Sequence, residues 1–180
     1  MTYIREAHKV DDFEIVESLI ERTIRENCKV DHCDDEHTIR AWLMKAMDDF
    51  TDADYVIVFN PIMGDKSITT RISGVAAIQS NNITLNYVDI NVMGLGISSL
   101  MLSHLEDILT KRDIDTVELI STASARRFYM KHGYKEKGKV TRGSGLSWNF
   151  HMYKHLRDHP RCLVHGTDVR ACPCRDYDYP

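Results

Sequence analysis

A chain of 180 residues, 43% hydrophobic and 28% charged, has the length and composition of one globular domain with a core of its own. Its formal net charge of −4 gives no electrostatic footprint for nucleic acid, and no apolar run approaches the roughly 18 residues that suggest a membrane span. Met1 to Asp12 is charged and lacks the apolar core of a signal peptide, and five cysteines make an odd count for a disulfide framework, so a cytoplasmic protein with reduced thiols is the expectation.

In chain order, Asp11-x-x-Glu14 reads as a capping box with Val10 as its staple residue. It opens a helix whose Ile15, Val16, Leu19, Ile20, Thr23 and Ile24 share one face. A polar loop, Asn27 to Asp34, leads to a second helix with Ile39, Trp42, Leu43, Ala46, Met47 and Phe50 at helical spacing. Tyr55 to Phe59 is a short buried strand, stopped by Asn60-Pro61 and a turn around Gly64-Asp65. Ile72 to Gln79 and Ile83 to Asp89 read as a hairpin joined by Ser80-Asn81-Asn82. After Gly96, the residues Ile97, Leu100, Met101, His104, Leu105 and Ile108 line a third helix, with His104 read as a core histidine. Thr116 to Ile120 is a strand and Ala123 to His132 a helix, ended by Gly133 in the left-handed conformation. Two last strands, Tyr134 to Val140 and Ser147 to Tyr153, flank Arg142-Gly143-Ser144-Gly145. This order predicts a three-layer α/β fold, a mixed sheet with helices on both faces. From Asp158 the periodicity stops and prolines punctuate the chain, so residues 1–157 are expected to form the domain and 158–180 a poorly ordered tail.

The turn Gly94-Leu95-Gly96 sits where a strand passes into a helix, a place where backbone N–H groups and the helix dipole favour a phosphate. A dinucleotide-binding turn needs a third glycine where Ser99 stands, and a mononucleotide P-loop needs a Lys-Ser/Thr pair that does not follow. A tight turn that binds nothing is the bland alternative. Cys28, His32 and Cys33 form one cluster of metal-type ligands, and His151, His155, His159, Cys162, His165, Cys172 and Cys174 another. Neither has the Cys-x2-Cys spacing of a structural zinc site, and no metal is expected.

Together, Asn91-x-x-Gly94-x-Gly96 and Thr122-x-x-Ala125-x-x-Phe128-Tyr129-x-x-x-Gly133-Tyr134 resemble the two cofactor-binding motifs of the GCN5-related N-acetyltransferase (GNAT) family, in the family's order and spacing. Met152-Tyr153-Lys154-His155-Leu156 is similar to its final Met-x-Lys-x-Leu strand. Asn91 stands where Arg or Gln is usual, and Thr122 where Asn is common. The resemblance implies a mostly antiparallel sheet, acetyl-CoA as co-substrate, and transfer of its acetyl group to a primary amine of a small molecule or protein. It implies that the fourth strand splays from the fifth and that the pantetheine arm lies along Tyr87, Val88 and Asp89. The amides of Met93, Gly94, Leu95, Gly96, Ile97 and Ser98 would hold the pyrophosphate, with Thr122 and Phe128 beside the cofactor.

By the same resemblance Tyr129 is the general acid, protonated at neutral pH with a phenol pKa near 10. Asp89 is either a base or a brace for the glycine turn. The acceptor would lie across the sheet, walled by the first two helices and by the loop carrying Asp31, His32, Asp34, Asp35 and Glu36. That loop is either a charge that favours a cationic acceptor or a solvated cap. Pairing through sheet edges, common in the family, makes a homodimer an expectation by resemblance alone. The departures at Asn91 and Thr122 keep a rival in view, an acetyl-CoA-binding or regulatory module without turnover.

Overall fold

A computed structural model describes residues 4–60, 72–142 and 148–157. Its elements in chain order are β1 (Ile4–Glu6), α1 (Phe13–Asn27), α2 (Lys29–His32), α3 (Glu36–Asp52), β2 (Tyr55–Phe59), β3 (Gly74–Gln79) and β4 (Asn82–Val88). A turn of 3-10 helix (Ile90–Val92) follows, then α4 (Ile97–Lys111), β5 (Thr116–Ser121), α5 (Ala123–Lys131), β6 (Lys135–Arg142) and β7 (Trp148–His155). The expected turn at Gly64-Asp65, the Gly143-Ser144-Gly145 connection and the tail 158–180 lie outside the described residues.

Among the described residues the strands form one seven-stranded sheet in the order β1-β2-β3-β4-β5-β7-β6. Every neighbouring pair is antiparallel except β4 with β5. Alternation along β3 divides the core. Val75 and Ala77 face α1 and α3, packing with Leu19, Ile20, Ile24, Met47 and Phe50. Ala76 and Ile78 face the other way, onto Met101, Leu102, Leu105 and Leu109 of α4. Helices on both faces of a mostly antiparallel sheet make the three-layer α/β fold that the element order implies.

One irregularity positions everything that follows. Ala77 pairs with Leu85 but Ile78 pairs with Ile83, so Thr84 is an extra residue in β4. Such a bulge bends its strand and exchanges the faces of the residues on either side. Ile83 accordingly joins the α4 core while Leu85 joins the α1/α3 core, although strict alternation would put both on one side.

Several sequence expectations change. Asp12, not Asp11, is the N-cap of α1, and it makes no side-chain cap hydrogen bond. Its carboxylate instead takes both Arg5 guanidinium nitrogens, at 2.7 and 2.8 Å, and the His8 amide. Val10 is 88% exposed and staples nothing. Within α1, Ile15 turns outward and Val16, Leu19, Ile20, Thr23 and Ile24 are buried. The expected polar loop contains the single turn α2, in which Asp31 and His32 are buried. On α4 the buried stripe is Ile97, Met101, Leu102, Leu105 and Leu109, with Leu100 exposed and His104 only half-buried. Leucines at 100, 102, 105 and 109 support either stripe, and packing on β2, β3 and β4 selects the second. The end of α5 is as expected: Gly133 is left-handed, Gly133 N–H donates to Met130 O and Tyr134 N–H to Tyr129 O, a complete Schellman motif.

Candidate active site

Parallel β4 and β5 pair only at Asn82↔Glu118 and Ile83↔Leu119, before the bulge. Beyond it β4 bends away, and a cleft of about 440 Å³ opens between the two strands. Its walls come from the end of α1, Trp42 of α3, β4, the glycine turn, the first turn of α4, the end of β5 and one face of α5. Of the residues singled out in the sequence, Tyr87, Val88, Met93, Gly94, Gly96, Ile97, Ser98, Thr122, Phe128 and Tyr129 line this one cleft. Leu95 and Asp89 are not among its lining residues.

The glycine turn is open toward that space. Gly94 and Gly96 both have φ of +81°, and a Cβ added to either would meet nothing within 4 Å. Gly96 is also the N-cap of α4 and supplies no side-chain acceptor, so the first amides of a 15-residue helix face out uncapped. Donors at the positive end of a helix dipole, beside a void that side chains would fill, fit a phosphate. The Ser98 hydroxyl is used otherwise, donating to Asn86 Oδ1 at 3.0 Å.

Asp89 lies behind the turn, 1% exposed. It accepts from Arg22 Nη2 at 2.8 Å, from the Asn91 amide at 2.9 Å and from Asn91 Nδ2 at 2.8 Å. These contacts join α1, the end of β4 and the 3-10 turn, so Asn91 spends its side chain inside the turn. Val88 O accepts from Thr23 Oγ1 at 3.2 Å, which ties the end of β4 to α1.

Tyr129 projects from α5 to the far wall and is 9% exposed. Burial pushes its phenol up to about 12, while the neighbouring Asn86 side chain pulls the other way. The phenol therefore keeps its proton through neutral pH. Its ring packs edge-on against Phe128 at 5.1 Å and Tyr134 at 5.6 Å between centroids. Burial raises Tyr87 as well. Cys28 lines the same cleft, but burial and then the Asp31 charge push its thiol up to about 11, so it stays a thiol rather than a nucleophile. Two buried polar atoms of the cleft lining, Thr84 Oγ1 and Asn86 Nδ2, make no hydrogen bond among the described residues.

A second cavity, about 820 Å³, lies on the α1/α3 side and shares Trp42, Thr84, Tyr87, Ile120 and Thr122 with the cleft. The acidic loop read from the sequence does not enter either space. Asp35 caps α3 by accepting the Thr38 amide at 2.9 Å, and Glu36 lies between Arg25 and Arg40, which hold its carboxyl down at about 2. Asp31, 3% exposed, takes the Ser124 amide of α5 at 3.4 Å. His32 Nδ1 accepts the Asp34 amide, which leaves Nε2–H to donate to Ile24 O at 2.8 Å, so both ring nitrogens are committed. Among the described residues no three His, Cys, Asp or Glu side chains are grouped to hold a metal; His159, Cys162, His165, Cys172 and Cys174 lie outside them.

Sequence reasoning missed Trp42, Thr84, Asn86 and Ile120. Trp42 fell into the core stripe of its helix, and the strand residues gave weaker signals. Asn86 is an amide within an apolar strand, and Ile120 is an apolar residue on the face opposite buried Val117 and Leu119. Both face the gap that the bulge opens.

A bulged, splayed parallel pair with an uncapped helix N-terminus on one wall and a buried tyrosine on the other is the arrangement that the resemblance to the GNAT family implies. A model of the acetyltransferase (GNAT) domain matches residues 65–156. Among solved structures, a GCN5-related N-acetyltransferase from Rhodopseudomonas palustris is 18% identical, with a TM-score of 0.70 over 86% of this chain and 96% of that one. The PaiA N-acetyltransferase of Thermoplasma acidophilum, in complex with coenzyme A, is 18% identical, with a TM-score of 0.62 over 84% and 97%. The ribosomal-protein-S18-alanine N-acetyltransferase of Escherichia coli is 15% identical, with a TM-score of 0.60 over 87% and 94%. At these identities the likeness is one of fold. A search of curated proteins finds no match. The chain belongs to the GNAT family of acyltransferases. No helix among the described residues is long and apolar enough to cross a membrane.

Proposed function

We propose that the chain, through residues 1–157, is an acetyl-CoA-dependent N-acetyltransferase acting on a primary amine. The observation that carries this reading is convergence: the uncapped start of α4, the open glycine turn and the Tyr129 phenol all face one cleft. Bound acetyl-CoA would supply an acyl thioester, whose carbonyl an amine attacks.

The remaining work belongs to the chain. Amides from Gly94 through Ser98 hold the pyrophosphate in the space that Gly94 and Gly96 leave clear, while the Met93 amide donates to Ile90 O and closes the 3-10 turn before them. Tyr87 and Val88 border the gap in which the pantetheine arm lies, with Thr122 and Phe128 on the opposite wall. Tyr129 Oη carries a proton that burial retains and gives it to the leaving sulfur. Asn86, fixed through its Oδ1 by Ser98, stands beside that oxygen and steadies the charge it acquires. Asp89 acts as the brace of the turn, because Arg22 and Asn91 take up its carboxylate.

The test is release of free thiol from acetyl-CoA in the presence of a panel of primary amines, with wild type and Tyr129→Phe compared. Loss of a general acid is expected to lower kcat by about 10²-fold with KM for acetyl-CoA nearly unchanged. Tight acetyl-CoA binding with no thiol release for any amine would instead support a binding module without turnover.

A further inference from the structure

The second cavity carries information about the acceptor that the first does not. It meets the cleft at Thr84 and Tyr87, between α3 and the uncovered stretch of β5. Three charged side chains line it: Lys45, Asp49 and Arg142. Asp49, the one carboxylate among its described lining residues, is already paired with Lys45 one helical turn away. Arg142 stacks over the Trp148 ring at 5.5 Å and has no carboxylate partner among the described residues. The cavity is therefore net positive, although the chain as a whole is negative. The acidic residues that favoured a cationic acceptor are spent elsewhere, Asp35 on the start of α3, Glu36 on Arg25 of α1 and Arg40 of α3, and Asp31 on α5.

The apolar part of the lining is equally placed. Ile120 presents a side chain 59% exposed on the floor, and Trp42 stands where the two spaces join. At that junction the Thr84 hydroxyl is buried without a hydrogen-bond partner among the described residues, a polar group left over by the fold.

We infer that the acceptor is a small amino-carboxylate, a primary amine with a carboxylate a few atoms away and an apolar side chain. This rests on the acetyltransferase reading above. The amine lies at the Thr84–Tyr87 junction, the side chain on Trp42 and Ile120, and the carboxylate toward Arg142, whose charge no described carboxylate offsets. A polyamine would set a second cation against Arg142, a like-charge arrangement that selects against it. The transfer forms a nitrogen–acetyl bond and breaks the carbon–sulfur bond. It leaves the thiol protonated and releases one proton from the ammonium to solvent.

Matched pairs differing only in the carboxylate test this directly. Thiol release is measured with L-phenylalanine against phenethylamine, L-leucine against 3-methylbutylamine, and spermidine as the polyamine. Acetyl-CoA binding is measured separately by calorimetry. The amino acid of each pair is expected to exceed its decarboxylated partner by at least about tenfold in kcat/KM, a difference of about 1.4 kcal/mol. Arg142→Glu should remove that advantage with acetyl-CoA affinity unchanged, and the milder Arg142→Gln should reduce it. Equal or better turnover of the decarboxylated amines or of spermidine overturns the inference, as does an advantage that survives Arg142→Glu. Acetyl-CoA bound with no turnover of either member of any pair overturns it too. Failure to bind acetyl-CoA at all would refute the parent reading instead.

Discussion

Replacing Gly94 by valine should separate the phosphate role of the turn from its backbone geometry. Gly94 has φ of +81°, where an L residue is strained by about 1–2 kcal/mol, more for a β-branched one. Its would-be Cβ meets no protein atom within 4 Å, so the valine adds strain without a clash inside the protein. What it fills is the space in front of the helix amides. Gly138, on β6, is the control, with φ of +72° and also nothing within 4 Å. Both valine variants should lose a few degrees in Tm from strain alone. At 100 times its Kd, acetyl-CoA adds about 2.7 kcal/mol, which for a domain of this size raises Tm by about 5–10 °C. Wild type and Gly138→Val should show that rise, and Gly94→Val should not. A folded Gly94→Val variant with the full rise would refute the assignment of the turn to phosphate.

Other outcomes follow from the same site. Asp89→Asn should weaken acetyl-CoA binding and lower stability by about 2–3 kcal/mol, since it leaves half-exposed Arg22 without its carboxylate. The pH profile of kcat should keep its shape, and loss of its acidic limb would make Asp89 the base instead. Tyr129 is raised from 10.0 to about 12 in the folded state, so its contribution to stability is complete below pH 10 and lost as pH rises through about 12. Alkaline titration followed by circular dichroism should therefore show Tyr129→Phe less sensitive than wild type across that window. Asn86→Leu removes the group that offsets the effect of burial, and an alkaline limb of kcat that moves upward with acetyl-CoA affinity intact is the expected result. An unmoved limb would separate Asn86 from the acid. Phe50→Ala should cost about 3–5 kcal/mol in chemical denaturation, because its ring is fully buried between α1, α3 and the sheet.

Much of this fold is legible because its signals are local. Helical spacing marks α3 and α4, and apolar runs mark β2 and β3, as the sequence expects. Gly133 in a Schellman motif and Gly94 and Gly96 at positive φ are single-residue requirements that glycine announces. The three layers follow from the order of elements and the mostly antiparallel sheet from the resemblance to a family, and the observed topology agrees with both. What local pattern cannot supply is rotation and register. The stripe of α4 turned away from Leu100 and His104 because packing, not periodicity, selects the face. The extra residue Thr84 has no signature in Ile83-Thr84-Leu85, yet it opens the cleft and exposes Asn86 and Ile120 to it. Long-range pairing also redirected the acidic loop. Arg25, eleven positions before Glu36, and Ser124 on a distant helix engage carboxylates that as sequence look free.

The most direct measurement is a backbone amide NMR titration with coenzyme A, which reports where on the chain the ligand sits. Binding in the cleft puts the largest changes on Gly94 through Ser99, with a second group at Thr122 through Tyr129, the two walls of the cleft. Changes confined to β6, β7 or the outer face of α1, with the glycine turn silent, would contradict it.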